Sequence, residues 1–104
     1  MPEDYTFHPE ALAEYVAAMS YYLEEASATV AQGFIDEMEV AVRAISASPQ
    51  LWRKVDTVET RRYLMHRFPY ALYYHWEKSN SRVTIYAVMH LSRKPGYWHG
   101  RLGS

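Results

Sequence analysis

RRYLMHRFPYALYYHWEKSNSRVTIYAVMH, residues 61–90, is the stretch that decides the fold. Its apolar and polar positions alternate with a period of two, the signature of strands with one covered face. Over 61–68, Arg61, Tyr63, Met65 and Arg67 fall on one side, and Arg62, Leu64, His66 and Phe68 on the other. Phe68-Pro69 breaks this strand or places it at an edge or bulge, because proline offers no ladder donor. Over 70–77, Tyr70, Leu72, Tyr74 and Trp76 oppose Ala71, Tyr73, His75 and Glu77. Lys78-Ser79-Asn80-Ser81 reads as a turn. Over 83–90, Val83, Ile85, Ala87 and Met89 oppose Thr84, Tyr86, Val88 and His90. The reading is a meander of three antiparallel strands.

Upstream the period lengthens. Tyr5-Thr6-Phe7 is a short extended segment, ended by Pro9, which then suits the first turn of a helix. Leu12, Tyr15, Val16, Met19, Tyr22, Leu23 and Ala26 recur at three- and four-residue spacing. The helix loosens near Ser27. Ser27 or Thr29 can cap a second helix, and Thr29 to Gln32 has the spacing of a capping box. The second stripe is Val30, Phe34, Met38, Ala41 or Val42, and Ile45, stopped by Pro49. Gly33 inside it either weakens the helix or permits a close contact. Two amphipathic helices with a short join form a hairpin that must cover one sheet face, since neither layer can bury its apolar side alone. The expected fold is α+β, in the order β-α-α-β-β-β. Its helix-to-sheet contact is expected to run through Leu12, Val16, Met19, Phe34, Met38 and Ile45. Residues 1–104 form one domain, with 95–104 a tail packing on or near the sheet.

The charge is divided along the chain. Residues 1–50 hold one basic side chain against nine acids, a net of −8. Residues 51–104 hold ten basic side chains against three acids, a net of +7. Such asymmetry speaks to partners rather than fold. The absence of cysteine excludes disulfide scaffolds, thiolate nucleophiles and thiolate zinc sites, and fits a reducing cytoplasm. The first residues are acidic, without a signal-peptide h-region, and no apolar run approaches a membrane span. No His-Glu-x-x-His spacing and no glycine-rich phosphate loop is present, so neither metal nor cofactor is expected.

Arg61, Arg62, Arg67, Arg93 and Arg101 are the natural clamps for an anionic target, because guanidinium offers a planar fork of donors. His90 and Tyr97, with Arg61 and Arg93, hold the groups that RNA cleavage by a 2′-hydroxyl needs: a base, an acid and cations on the phosphorane. The competing reading is that these arginines are solvated surface and the histidines pair within the sheet. Tyr15, Tyr22 and Tyr74 look like core, whereas Tyr73, Tyr86 and Tyr97 suit either core or a stacking surface for bases. Trp98 reads as an anchor for the tail.

Arg61-Arg62, Phe68-Pro69-Tyr70, Ala87-Val88-Met89-His90, Arg93, Pro95 and Trp98-x-x-Arg101 together resemble the RelE/ParE toxins of type II toxin–antitoxin modules, closest to the ParE-like or plasmid-stabilisation branch. The resemblance begins at Phe7-His8-Pro9-x-Ala11 and runs through Tyr21-Tyr22, Phe34, Ala44-Ile45 and Pro49 to Arg101. It implies a helical hairpin on an antiparallel sheet, and a cognate antitoxin whose C-terminal segment wraps the toxin and supplies any DNA binding. It implies a bacterial, cytoplasmic protein that arrests growth. The ParE branch inhibits DNA gyrase by binding, with no catalytic residues; Arg61, Arg62, Arg67, Arg93 and Arg101 would then contact the target. The RelE branch cleaves mRNA on the ribosome, for which Arg61, His90, Arg93 and Tyr97 would be the catalytic set. In that branch, lysines between the helices and the meander would be represented by Arg53 and Lys54. An inactive, binding-only relative is the third alternative.

Overall fold

A computed structural model of the chain describes residues 5–55, 60–79, 81–93 and 101. Strand β1 (Tyr5–Phe7) leads into helix α1 (Pro9–Glu25) and helix α2 (Ala28–Ala47). Four strands follow: β2 (Arg53–Lys54), β3 (Thr60–Leu64), β4 (Tyr70–Glu77) and β5 (Arg82–His90). The sheet order is β1-β5-β4-β3-β2. The meander β3-β4-β5 is antiparallel as expected. The sheet as a whole is mixed, because β1 lies parallel to β5, with Tyr5 opposite Val83 and Phe7 opposite Ile85. The small antiparallel pairing of β2 with β3 was not visible in the pattern.

The helix boundaries follow from local chemistry. Pro9 opens α1, and the His8 ring accepts from the Glu10 N–H at 3.1 Å. Ser27 is the cap of α2, its hydroxyl accepting from the Val30 N–H at 3.1 Å. The Thr29 capping box does not form; Gln32 donates instead to Asp36 on the next turn at 3.0 Å. At the other end Pro49 terminates the chain's helical path, and its carbonyl accepts from the Tyr74 hydroxyl at 2.7 Å.

Two sequence expectations are corrected by the packing. Leu12 and Val16 do not dock on the sheet; they are 48% and 47% exposed. The buried arc of α1 is Ala11, Tyr15, Ala18 and Tyr22. Small residues at Ala11 and Ala18 let α1 approach β5 closely, and the tyrosines on either side fill the space a larger aliphatic would claim. In α2 the expected stripe holds: Phe34, Met38, Ala41, Val42 and Ile45 are buried. Phe34 is fully enclosed, with ring centroids of Tyr22, Phe68 and Tyr70 each 5.3 Å away.

The second correction concerns strand faces. The expected strand over 61–68 stops at Leu64, and Phe68 turns down onto α2, where Gly33 leaves room. A Cβ at Gly33 would meet the Arg67 guanidinium at 3.2 Å and the Phe68 ring at 3.7 Å, so the glycine admits the β3–β4 loop rather than another helix. In β5 the register with β4 shifts: Tyr73 opposes Ala87, but Tyr74 opposes Ile85. Tyr86 is the extra residue of a β-bulge, and every side chain after it changes face. Val83 and Ile85 join the helix-side core together with Val88. Ala87 and Met89 instead form a second buried cluster with Ala71 and Tyr73. Tyr73, only 4% exposed, therefore belongs to packing and not to a stacking surface.

Phe34→Ala should cost about 3–5 kcal/mol through the cavity it leaves among rigid rings. Urea denaturation measures this; a loss below about 1 kcal/mol would show that the ring cluster collapses freely. Five tyrosines (15, 22, 63, 70 and 74) have pKa values above the ordinary 10.0, in each case chiefly from burial. Their folded pKa exceeds the unfolded one, so the unfolded chain loses phenolic protons first as pH rises. The stability they contribute is complete below pH 10 and falls above it. Denaturation midpoints at successive pH values should drop above this point, and Tyr74→Phe should lessen the drop.

Candidate interaction surfaces

The side chain that organises the middle of α1 is Glu14, a lone acid in the run from Ala11 to Leu23. Its carboxylate faces inward and grips the Arg101 guanidinium in a fork, Nη1 to Oε1 at 3.1 Å and Nη2 to Oε2 at 2.9 Å. Both partners are largely shielded, with side chains 18% and 12% exposed. Arg101 Nε also lies 3.3 Å from Glu10. The same two side chains satisfy backbone groups at the bulge. Glu14 accepts from the Val88 N–H at 2.9 Å, and Arg101 donates to the Tyr86 carbonyl at 2.9 Å. Strand β1 ends at Phe7, opposite Ile85, so this stretch of β5 has passed the end of its neighbour. The ion pair takes the place of the missing strand. Its isolation within an otherwise uncharged stretch is the sequence signal for an inward role.

The other expected site residues divide by position. Arg61 lies on the helix side of β3, opposite Tyr74. Its Nη1 donates to the carbonyls of Gln50 at 3.0 Å and Trp52 at 2.8 Å, fastening the connection between α2 and β2. Arg62 faces the other way, opposite Tyr73 on β4 and Arg53 on β2. With Arg53, Trp52, Leu64 and His66 it lines an open groove of about 650 Å³. Arg67 is 66% exposed, lies 3.5 Å from Glu37 and sits 6.0 Å above the Phe68 ring. Lys54 and Arg53 are exposed on the edge strand β2.

His90 and Arg93 come together. They line a shallow cleft of about 290 Å³ against α1, with Glu14, Tyr21 and Tyr70. His90 packs edge-on against Tyr70 at 5.0 Å. Its Nδ1 accepts from the Ser92 N–H at 3.0 Å, which leaves the ring proton or a free donor position to Nε2. The bulge explains why His90 faces α1: it lies opposite Ala87 and Met89, as the alternation required, but past Tyr86 that side is the helix side. Arg61 is absent from this cleft. It pairs at the level of Tyr74 on one side of β4, whereas His90 pairs with Tyr70, four residues away, on the other side. Tyr97 and Trp98 lie outside the described residues, as does the expected tail apart from Arg101. Among the described residues no cluster of histidines and acids fit to hold a metal ion occurs, and no helix is long and apolar enough to cross a membrane.

Residues 5–95 match the family described as the ParE toxin of the type II toxin–antitoxin system parDE. The chain belongs to this family, and its class of system pairs a toxin with a cognate antitoxin. Among solved structures it is similar to a chain of the chromosomal ParDE toxin–antitoxin system from P. aeruginosa. The TM-score is 0.72 at 13% identity, covering 85% of this chain and 95% of that one. No curated protein sequence matches it.

Replacing Arg101 by alanine strands the Glu14 carboxylate and the Tyr86 carbonyl, and should cost about 3 kcal/mol or more. Arg101→Lys should recover only part of this, because an ammonium cannot make the fork. Equilibrium unfolding checks both. A pure target contact would leave stability unchanged on either substitution.

Proposed function

We propose that the chain arrests growth by binding DNA gyrase in the cytoplasm, and that the toxin itself makes and breaks no bond. The observation that supports binding over RNA cleavage is the place of Arg61. Its guanidinium is committed to the Gln50 and Trp52 carbonyls, two strands across the sheet from His90 and four residues along β4. A nuclease needs its cations converged on one phosphate. Target contacts then fall to arginines with exposed or half-exposed side chains, Arg62, Arg67 and Arg93, while Arg101 serves the fold.

The antitoxin's part is supported by the outer face of α1. Leu12, Val16 and Leu23 share one face and are about half exposed, and the only acid between Glu10 and Glu24 is turned inward to Arg101. A helix face with this content is the docking site for a partner helix. The antitoxin also supplies any operator binding by the complex. The second reading, cleavage of ribosome-bound mRNA, is favoured by the shared cleft of His90 and Arg93 alone.

The purified toxin, freed of antitoxin, should inhibit gyrase supercoiling while translation in a cell-free system continues. Arg62→Ala with Arg93→Ala should abolish inhibition at an unchanged melting temperature, whereas Arg61→Ala should lower stability. Intact supercoiling together with cleaved transcripts would establish the nuclease reading instead.

A further inference from the structure

The short pairing of β2 with β3 sets like charges side by side. Arg53 of β2 lies directly opposite Arg62 of β3. Residues opposite each other in an antiparallel pair project to the same face, with Cβ atoms about 5 Å apart, and like charges placed there repel. Among the described residues no acid forms an ion pair with either guanidinium. Neighbouring Arg61 is handled differently, because it turns to the helix side and donates to the Gln50 and Trp52 carbonyls. Arg53 and Arg62 stay on the outer face, the first exposed and the second half-buried. A basic residue on an edge strand also deters unwanted strand pairing. That purpose needs Arg53 alone and leaves the arginine opposite it unexplained. An oxyanion between the two forks would turn the repulsion into attraction.

The groove around this pair says which anion. Its described lining holds Arg53, Arg62 and His66 and no carboxylate. Glu37, whose charge reaches the Tyr63 hydroxyl, is outside that lining and lies 3.5 Å from Arg67. The sign of the groove is therefore positive. Its surface is nevertheless partly apolar. Leu64, two residues beyond Arg62 and on the same strand face, lines it and is 47% exposed. A bare hydrated ion would leave this surface in water. Nucleic-acid bases need open ring faces to stack on. Tyr63 offers none: it is 4% exposed, with Trp52 edge-on at 4.8 Å and His66 stacked at 6.2 Å. A carboxylate carried on a peptide next to an apolar side chain satisfies both the arginines and Leu64.

We infer that the Arg53–Arg62 groove is the contact for an acidic, apolar segment of a partner protein, with a carboxylate held between the two guanidinium groups and an apolar side chain against Leu64. That the segment belongs to gyrase rests on the toxin reading above. The preference of the groove does not.

Two blocked peptides test it with the intact folded chain: acetyl-Gly-Leu-Asp-Leu-Glu-Gly-amide and the same peptide with asparagine and glutamine for its two acids. An eight-residue oligothymidylate serves as the nucleic-acid probe. Binding is read from the ring resonances of Trp52 and His66. The acidic peptide should bind saturably at low salt, and about tenfold tighter than its amide counterpart. Arg53→Gln and Arg62→Gln should each remove most of that difference. Leu64→Ser should weaken both peptides, and Arg43→Gln, on α2, should change neither. Arg53→Gln should also raise the urea midpoint, because it removes the cross-strand repulsion; a purely structural arginine would lower it on removal. Equal affinity for the two peptides, no saturable binding by either, an acid preference that survives both arginine substitutions, a lowered midpoint for Arg53→Gln, or tighter binding of the oligothymidylate through the same arginines would each overturn the inference. Gyrase does not enter the measurement, so a failure here leaves the toxin reading standing, and a failure of gyrase inhibition leaves the groove standing.

Discussion

One extra residue in β5 governs much of this molecule. The bulge at Tyr86 turns Val88 and His90 toward the helices and sends Ala87 and Met89 to the other face. The sheet thereby acquires two buried clusters instead of one apolar face and one solvated face. At the same place β5 outruns β1, and the Val88 N–H and Tyr86 carbonyl lack a neighbouring strand. Buried backbone groups without partners are costly. Glu14 and Arg101 meet that need together, one accepting and one donating. The pairing also fixes the rotation of α1, because an inward Glu14 brings Ala11, Tyr15 and Ala18 with it and turns Leu12 and Val16 outward. The exposed apolar surface of α1 thus follows from a hydrogen-bonding problem in the strand it packs against.

A second fastening works on the β3 side of the sheet. Tyr74 is fully buried, yet its hydroxyl finds the Pro49 carbonyl. Arg61, opposite it, holds the next two accessible carbonyls of the same connection, at Gln50 and Trp52. Together they convert the chain reversal after α2 into a fixed corner. The positive charge of Arg61 acts on the Tyr74 hydroxyl against burial, which nonetheless prevails and raises its pKa. The arrangement fits a side chain retained for its geometry, which is why Arg61 is a poor candidate for mobile contact with a phosphate.

The strand and helix content was legible because alternation and three-to-four spacing are properties of local sequence. The ends of the helices were legible where Pro9, Ser27 and Pro49 stand. What escaped was non-local. Nothing within residues 83–90 distinguishes a straight strand from one with a bulge at Tyr86, since both alternate to the eye and only the pairing with β4 reveals the slip. The rotation of α1 escaped for a related reason. Leu12 and Val16 are better core residues than Ala11 and Ala18 by hydrophobicity, but close approach to β5 rewards the smaller side chains. The meeting of His90 with Arg93 was within reach of sequence; the separation of Arg61 from both required the register.

The opposed charges of the two halves take on a different meaning once the fold is known. The basic half suggested an anionic partner. Yet acids of the helices and arginines of the strand region meet within the molecule: Arg101 with Glu14 and Glu10, and Arg67 with Glu37. The first is shielded and linked to the backbone, so it carries structural weight; the second is largely exposed and contributes little. Net charge by sequence segment therefore overstates what remains for a partner.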